Sequence, residues 1–247
     1  MLYTPPKDSV KGMNGKLLFI GGSKSYSGAA LLVLKVAVKF SDIVLFYPAE
    51  YDEYLISSIK SYVPEVIVTY DLKRALKSSD SILFGSGAGN ALFNFEILRD
   101  SSKKVVVDGD GLKHIKAPLS KNFLLTPNSK EFQNLALQYN VSTTSNLASS
   151  LNCIVLKKGY VNEISDGIRN KAITGGNSGL TKAGTGDILS GIIASLSTKN
   201  SLWDAAIYGL KAVLDASNVL FKQRSYYYSA SEIVDFIGFS LSKIKRV

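Results

Sequence analysis

The chain has 247 residues, 46% of them hydrophobic and 20% charged, with 29 Lys and Arg against 20 Asp and Glu for a formal net charge of +9. One cysteine excludes an internal disulfide framework, and one histidine excludes both a multi-histidine metal site and a Ser/His/Asp triad with a second imidazole. No run reaches the roughly 18 consecutive apolar residues of a membrane helix, and the start Met1-Leu2-Tyr3-Thr4-Pro5-Pro6 lacks the apolar stretch of a signal peptide, so a cytoplasmic protein without membrane partners is expected.

Taken in order, short aliphatic runs at Lys16–Ile20, Ile43–Tyr47, Val66–Thr69, Ser81–Phe84, Lys104–Val107, Phe123–Leu125 and Ile154–Leu156 read as buried strands. Segments of helical length lie between most of them, at Gly28–Phe40, Glu53–Ser61, Asn90–Arg99 and Ser129–Tyr139. Near-continuous apolar strands alternating with helices predict a mostly parallel sheet covered on both faces, an α/β/α three-layer sandwich. Val161–Ser165 and Ile168–Thr174 then read as a hairpin joined at Asp166-Gly167, and helices at Thr185–Ser197, Leu202–Phe221 and Ser231–Lys243 close the chain. No linker divides it, so one domain over residues 1–247 is expected.

In such sheets ligands gather at the carboxyl ends of the strands. Here those ends carry Gly21-Gly22-Ser23, Gly85-Ser86-Gly87-Ala88-Gly89, Asp108-Gly109-Asp110-Gly111 and Thr126-Pro127-Asn128-Ser129-Lys130-Glu131. The most informative stretch is the loop from Gly175 through Gly176, Gly179, Lys182 and Gly184 to Thr185-Gly186-Asp187, which enters an apolar helix. Small residues allow close backbone approach to an anion, and a helix start presents unpaired N–H groups to it. Asp187 at that mouth is either a first-turn cap or a base that takes a proton from a hydroxyl; the density of glycines before it favours phosphoryl transfer. Lys and Arg are scattered rather than massed, so no nucleic-acid partner is expected, and Lys243-Ile244-Lys245-Arg246 reads as a helix-end charge pattern. Cys153 reads as a buried strand residue and His114 as a surface or helix-end residue. Tyr226-Tyr227-Tyr228 reads either as a subunit contact or as a core cover.

From about Lys11 onward these motifs, in this order, resemble the ADP/ATP-dependent NAD(P)H-hydrate dehydratase family of the ribokinase-like superfamily. The resemblance rests on Gly21-Gly22-Ser23 with Tyr26, Gly28 and Ala29, on Val107-Asp108-Gly109-Asp110-Gly111-Leu112, on Leu125-Thr126-Pro127 with Glu131, on Leu156 with Lys158-Gly159, and on the glycine loop. It implies that a nucleotide phosphorylates the hydroxyl of hydrated NADH or NADPH and that loss of phosphate restores the ring. Asp187 would be the catalytic base, with the amides of Gly184, Thr185 and Gly186 as the anion hole. Ala29, Gly87, Asn128 and Asp187 would contact the hydrated substrate. Lys158, Gly159, Tyr160, Val161, Asn162 and Gly186 would hold the adenine nucleotide, ADP in preference to ATP, with Mg²⁺ bound chiefly by phosphates and indirectly by Glu131. It also implies a homo-oligomer, no fused N-terminal epimerase domain, and a separate epimerase.

Two departures qualify the substrate. Asn128 stands where the family usually has histidine after Thr-Pro, and Val10 replaces another histidine near the N-terminus. Asn128 with Glu131 instead matches a pattern of sugar and vitamin kinases on the same fold. A small-alcohol kinase of the hydroxymethylpyrimidine or hydroxyethylthiazole type and a non-catalytic nucleotide-binding protein are therefore the alternative readings.

Overall fold

A computed structural model describes residues 2–244; Lys245 and Arg246 of the basic C-terminal group lie outside the described residues. Nine strands form one sheet: β1 (Lys16–Gly21), β2 (Ile43–Pro48), β3 (Ile67–Val68), β4 (Ser81–Phe84), β5 (Lys104–Val107), β6 (Phe123–Leu125), β7 (Ile154–Lys157), β8 (Val161–Ser165) and β9 (Asn170–Thr174). Their order is β3-β2-β1-β4-β5-β6-β7-β8-β9, parallel through β7 and antiparallel for the last two. The order reverses between β1 and β4, which opens a crevice at their carboxyl ends. There the Gly22 amide donates to the Ser86 carbonyl at 3.0 Å, tying the two strand ends together.

The period-two pattern of the strands separates two cores. Leu17, Phe19, Leu83, Val106, Leu124 and Leu156 face one layer, whereas Leu18, Ile20, Ile82, Phe84, Val105, Val107 and Val155 face the other. The first layer is covered by α1 (Ser27–Ala37), α2 (Glu53–Tyr62), α7 (Thr185–Ser197), α8 (Leu202–Arg224) and α9 (Ala230–Ile244). The second is covered by α3 (Leu72–Ser78), α4 (Glu96–Arg99), α5 (Ser129–Gln138) and α6 (Thr144–Leu151). No described helix is long and apolar enough to cross a membrane.

Three local expectations need correction. The helix expected over Asn90–Arg99 exists only at Glu96–Arg99. Phe93 and Phe95 turn inward onto Phe84, with ring centroids 4.7 and 5.8 Å away, and the chain reaches them as a loop. The final hairpin has a wider turn than Asp166-Gly167. The Asp166 carboxylate accepts the Ile168 and Arg169 amides at 3.0 and 2.7 Å, so β9 begins at Asn170 rather than Ile168. Two helices, α3 and α6, have no counterpart in the sequence reading. Each is capped by a side chain, Asp71 onto the Arg74 amide and Thr143 onto the Asn146 amide.

Cys153 is fully buried, and burial pushes its thiol well above the ordinary range, as expected of a core residue. His114 ends a short 3-10 turn and packs edge-on against Phe84, in keeping with a helix-end residue.

The site depends on how α7 seats on the sheet. It is buried from Ile188 through Ser197, and Gly191 lets α1 approach: a Cβ there would lie 2.6 Å from Val36 Cγ1 and 3.2 Å from the Val33 carbonyl. Gly238 in α9 meets nothing within 4 Å. Gly191→Ala therefore costs about 1–3 kcal/mol of overpacking, set against about 1 kcal/mol of helix propensity gained, and should lower the urea midpoint. Gly238→Ala should raise it, by about 0.5–1 kcal/mol. Equal shifts for the two variants would contradict the tight α1–α7 contact.

Candidate active site

Gly184 starts α7 in the left-handed region, with φ +93°, packed so closely on Leu32 that a side chain would collide with it. Because the N-cap residue carries no side chain, nothing from it caps the first amides. The Gly184 and Gly186 amides make no hydrogen bond among the described residues, whereas the Thr185 amide reaches the Lys182 carbonyl at 3.4 Å. Thr185 Oγ1 donates to the Leu180 and Lys182 carbonyls at 2.8 and 3.0 Å, binding the glycine loop to the first turn.

Asp187 follows on that first turn. Burial raises its carboxyl to about 7, reinforced by the nearby Asp108 carboxylate and only partly offset by Lys158. The group is thus poised near neutrality, where an acceptor of protons is most useful.

Lys158 projects from the end of β7 toward the same point. A Cβ on Gly186 would sit 3.4 Å from its Nζ. Its amine donates to Asp108 Oδ1 at 2.7 Å, and Asp108 is itself 3% exposed. Burial depresses the amine, but Asp108, with Glu131 and Asp187 beyond it, outweighs that and holds Lys158 above the usual lysine range. Asp108 also accepts Thr126 Oγ1 at 2.8 Å and Ser86 Oγ at 3.3 Å, so its orientation is set by three donors from three strand ends. Ser86 Oγ in turn meets Ser190 Oγ of α7 at 3.1 Å.

These groups border a cleft of about 850 Å³. Lys158, Gly159, Tyr160, Asn162, Asn128, Glu131 and the whole Gly184–Asp187 segment line it; Val161, at the exposed start of β8, does not. Asn162 is buried and structural in its contacts, accepting the Gly159 amide at 3.3 Å and donating to the Ile173 carbonyl at 3.2 Å. Ala29 and Gly87 lie apart from the cleft lining but against each other at the β1/β4 crevice, where a Cβ on Gly87 would stand 2.8 Å from that of Ala29. Ser86, at the end of β4, joins that crevice to α7 through its contact with Ser190.

Asn128 and Glu131 form a capping box at the start of α5. The Asn128 side chain accepts the Lys130 and Glu131 amides at 3.0 Å each, and Glu131 Oε2 accepts the Asn128 amide at 2.7 Å. Burial raises the Glu131 carboxyl, with Lys158 pulling the other way. Among the described residues no three carboxylate, histidine or cysteine side chains cluster as a metal cage. The cleft instead offers the separate carboxylates of Asp108, Glu131 and Asp187, a donor set suited to a cation such as Mg²⁺ that keeps most of its ligands from phosphate and water.

The sequence reading gave no role to Asp108 or Lys182, and none to the apolar wall of Leu210, Val213 and Leu214 from α8. Asp108 had a legible signal, a carboxylate ending a buried strand before glycine. The α8 wall had none, because its residues look like ordinary helix core.

A family model described as NAD(P)H-hydrate dehydratase matches residues 17–238. The bifunctional NAD(P)H-hydrate repair enzyme Nnr of Methanocaldococcus jannaschii is 32% identical over 246 residues, covering 93% of this chain and 48% of that protein. The ATP-dependent (S)-NAD(P)H-hydrate dehydratase of Pediculus humanus subsp. corporis is 30% identical over 217 residues, covering 75% of this chain and 71% of the relative. The chain spans about half the length of the bifunctional relatives it matches. Among solved structures, a ribokinase-like superfamily protein of Enterococcus faecalis superposes with a TM-score of 0.86 at 20% identity, covering 98% of this chain and 92% of that one. The ADP/ATP-dependent NAD(P)H-hydrate dehydratase of Bacillus subtilis, co-crystallised with ATP and Mg²⁺, does so at 0.80 and 21%, covering 97% and 93%. These likenesses show that the fold is ribokinase-like.

The buried carboxyl of Asp187 has a stability signature. The native chain holds that proton up to about pH 7, whereas the unfolded chain releases it near the ordinary aspartate value of 3.8. Between these values the native state binds more protons, so this group lowers stability as pH rises from about 4 to about 7. Asp187→Asn should therefore be more stable than the parent at pH 8, with the gap closing as the pH approaches 4. Denaturant titrations at both pH values test this, and a variant less stable at pH 8 would refute the burial of the charge.

Proposed function

Because the chain belongs to the NAD(P)H-hydrate dehydratase family, we propose that it catalyses ADP- or ATP-dependent dehydration of hydrated NADH or NADPH, a lyase reaction of nicotinamide nucleotide repair. The observation that carries this reading is the placement of Asp187, poised near pH 7, on the first turn of α7 beside the unpaired Gly186 amide and Lys158.

The adenine nucleotide occupies the larger cleft, its base against the apolar wall of Leu210, Val213 and Leu214 and its phosphates toward Lys158 and the glycine loop. The hydrated nicotinamide enters from the β1/β4 crevice past Ala29 and Gly87. Asp187 takes the proton of the substrate hydroxyl as its oxygen bonds to the terminal phosphorus and the bond from that phosphorus to the nucleotide breaks. The Gly184 and Gly186 amides and the Lys158 ammonium offset the charge on the phosphoryl oxygens in flight. Phosphate then leaves with the C–O electron pair, and loss of a proton from the adjacent ring carbon restores the dihydropyridine. Glu131 would help hold Mg²⁺ indirectly, and the ion would supply further neutralisation of phosphate charge.

ADP is the preferred donor in this reading, and either nucleotide fits a site that handles the transferred group alone. The protein acts in the cytoplasm as a homo-oligomer, with an epimerase as its functional partner. The alternative of a small-alcohol kinase drew on Asn128 and Glu131, and the capping box accounts for that pair without a kinase role.

Purified protein given hydrated NADH with ADP or ATP should regenerate the reduced-nicotinamide absorbance, with kcat/KM rising through about pH 7 as Asp187 ionises. Asp187→Asn should lower the rate by about 10²–10⁴-fold. No recovery with either nucleotide, together with nucleotide consumption on a pyrimidine or thiazole alcohol, would replace the dehydratase by the kinase.

A further inference from the structure

The glycine loop that delivers the anion-binding amides contains Gly175, Gly176, Gly179 and Gly184, residues that by themselves leave the backbone free to take many paths. It is held from a distant part of the chain. Lys182 Nζ donates to the Tyr226 and Tyr228 carbonyls, each at 2.5 Å, and lies 4.1 Å from the centre of the Tyr226 ring. Both tyrosines belong to the connector between α8 and α9.

A second tie runs from the same connector. Tyr228 is 3% exposed, and its Oη donates to Asn177 Oδ1 at 2.5 Å. That oxygen also accepts the Gly179 amide at 2.9 Å, while Asn177 Nδ2 donates to Asn218 Oδ1 at 3.1 Å on α8. A Cβ on Gly179 would collide with the Tyr228 ring, so the loop lies flat against it. From Lys182 the constraint passes directly to the helix mouth, because the Lys182 carbonyl accepts both the Thr185 amide and Thr185 Oγ1.

Lys182 borders the cleft, yet two of its three donors are spent on the connector rather than on a ligand. We propose that Lys182 and Tyr228 are positioning residues that clasp the glycine loop to the α8–α9 connector and so set the aim of the Gly184 and Gly186 amides at the transferred phosphoryl group. The inference rests on reading the α7 mouth as the phosphoryl site. It also gives a task to the buried member of the Tyr226–Tyr228 run and leaves Tyr227, 82% exposed, outside it.

The test compares binding of AMP, the nucleotide left when ADP is the donor, with binding of AMP plus aluminium fluoride, a mimic of the β-phosphoryl group in flight, by calorimetry in the presence of Mg²⁺. The parent protein should bind the mimic more tightly than AMP. Lys182→Met and Tyr228→Phe should each lose about 10- to 100-fold of that preference while affinity for AMP alone stays unchanged, as expected when amides are misplaced rather than removed. Lys182→Arg, which keeps donors for the two carbonyls, should recover part of the loss. In turnover the same variants should lower kcat and leave KM for the nucleotide unchanged. Equal weakening of AMP and mimic would overturn the proposal by making Lys182 a direct nucleotide ligand. An unchanged preference with a lowered melting temperature would overturn it by leaving only a folding role. Should the parent fail to dehydrate hydrated NADH yet prefer the mimic, with that preference lost in both variants, the clasp stands and the dehydratase reading falls.

Discussion

The site depends on one constraint: α7 enters the cleft amino end first, with no side chain to satisfy its opening amides. Gly184 makes this possible by taking a left-handed conformation against Leu32, where any side chain would clash. Many helices close such a start with a Ser, Thr, Asp or Asn cap, and α2, α3, α5, α6 and α8 do so here, at Asp52, Asp71, Asn128, Thr143 and Ser201. α7 lacks such a cap where it borders the cleft, so a negatively charged ligand can take the cap's place, an arrangement that stabilises the bound anion as the missing side chain would have stabilised the empty helix.

Three carboxylates border the same cleft, an arrangement that by itself would repel a nucleotide. Asp108 is neutralised by Lys158 and oriented by Thr126 and Ser86. Glu131 is turned back onto the Asn128 amide. Asp187 is buried beside the Asp108 carboxylate, with Lys158 offsetting only part of this, and its proton is consequently held to about pH 7. The cleft thus separates one acid from two structural ones by environment alone, since all three are carboxylates within reach of a single lysine. Lys158 couples them: it lowers the cost of Asp108 in the interior while standing against Gly186, where phosphate oxygens would replace the charge it shares.

Much of this was legible in the residues. Strands β1 and β4 to β7 stand out because they are buried on both faces and so read as unbroken apolar runs, and the glycine loop with Asp187 marks the helix mouth. Where the reading departed from the structure, the reason is physical. Asn90–Arg99 has helical length, but Phe93 and Phe95 gain more by burying their rings on Phe84 than by extending the helix. Helices α3 and α6 are short and polar, and their existence rests on side-chain caps and on packing beneath the sheet. Asn128 and Glu131 carry a kinase-like spacing that also satisfies the geometry of a capping box, and only the structure shows that box formed.

The sequence by itself determined the layered α/β architecture, the family and the candidate acid, because apolar periodicity and glycine spacing are local properties that neighbouring residues express without help. What belongs to tertiary structure is everything that pairs distant segments. Lys158 meets Asp108 across fifty positions, Lys182 meets the Tyr226 and Tyr228 carbonyls across more than forty, and α8 lends the cleft an apolar wall indistinguishable in sequence from ordinary core. Such partnerships follow from strand order and helix seating, which bring their members together only once the whole sheet has formed.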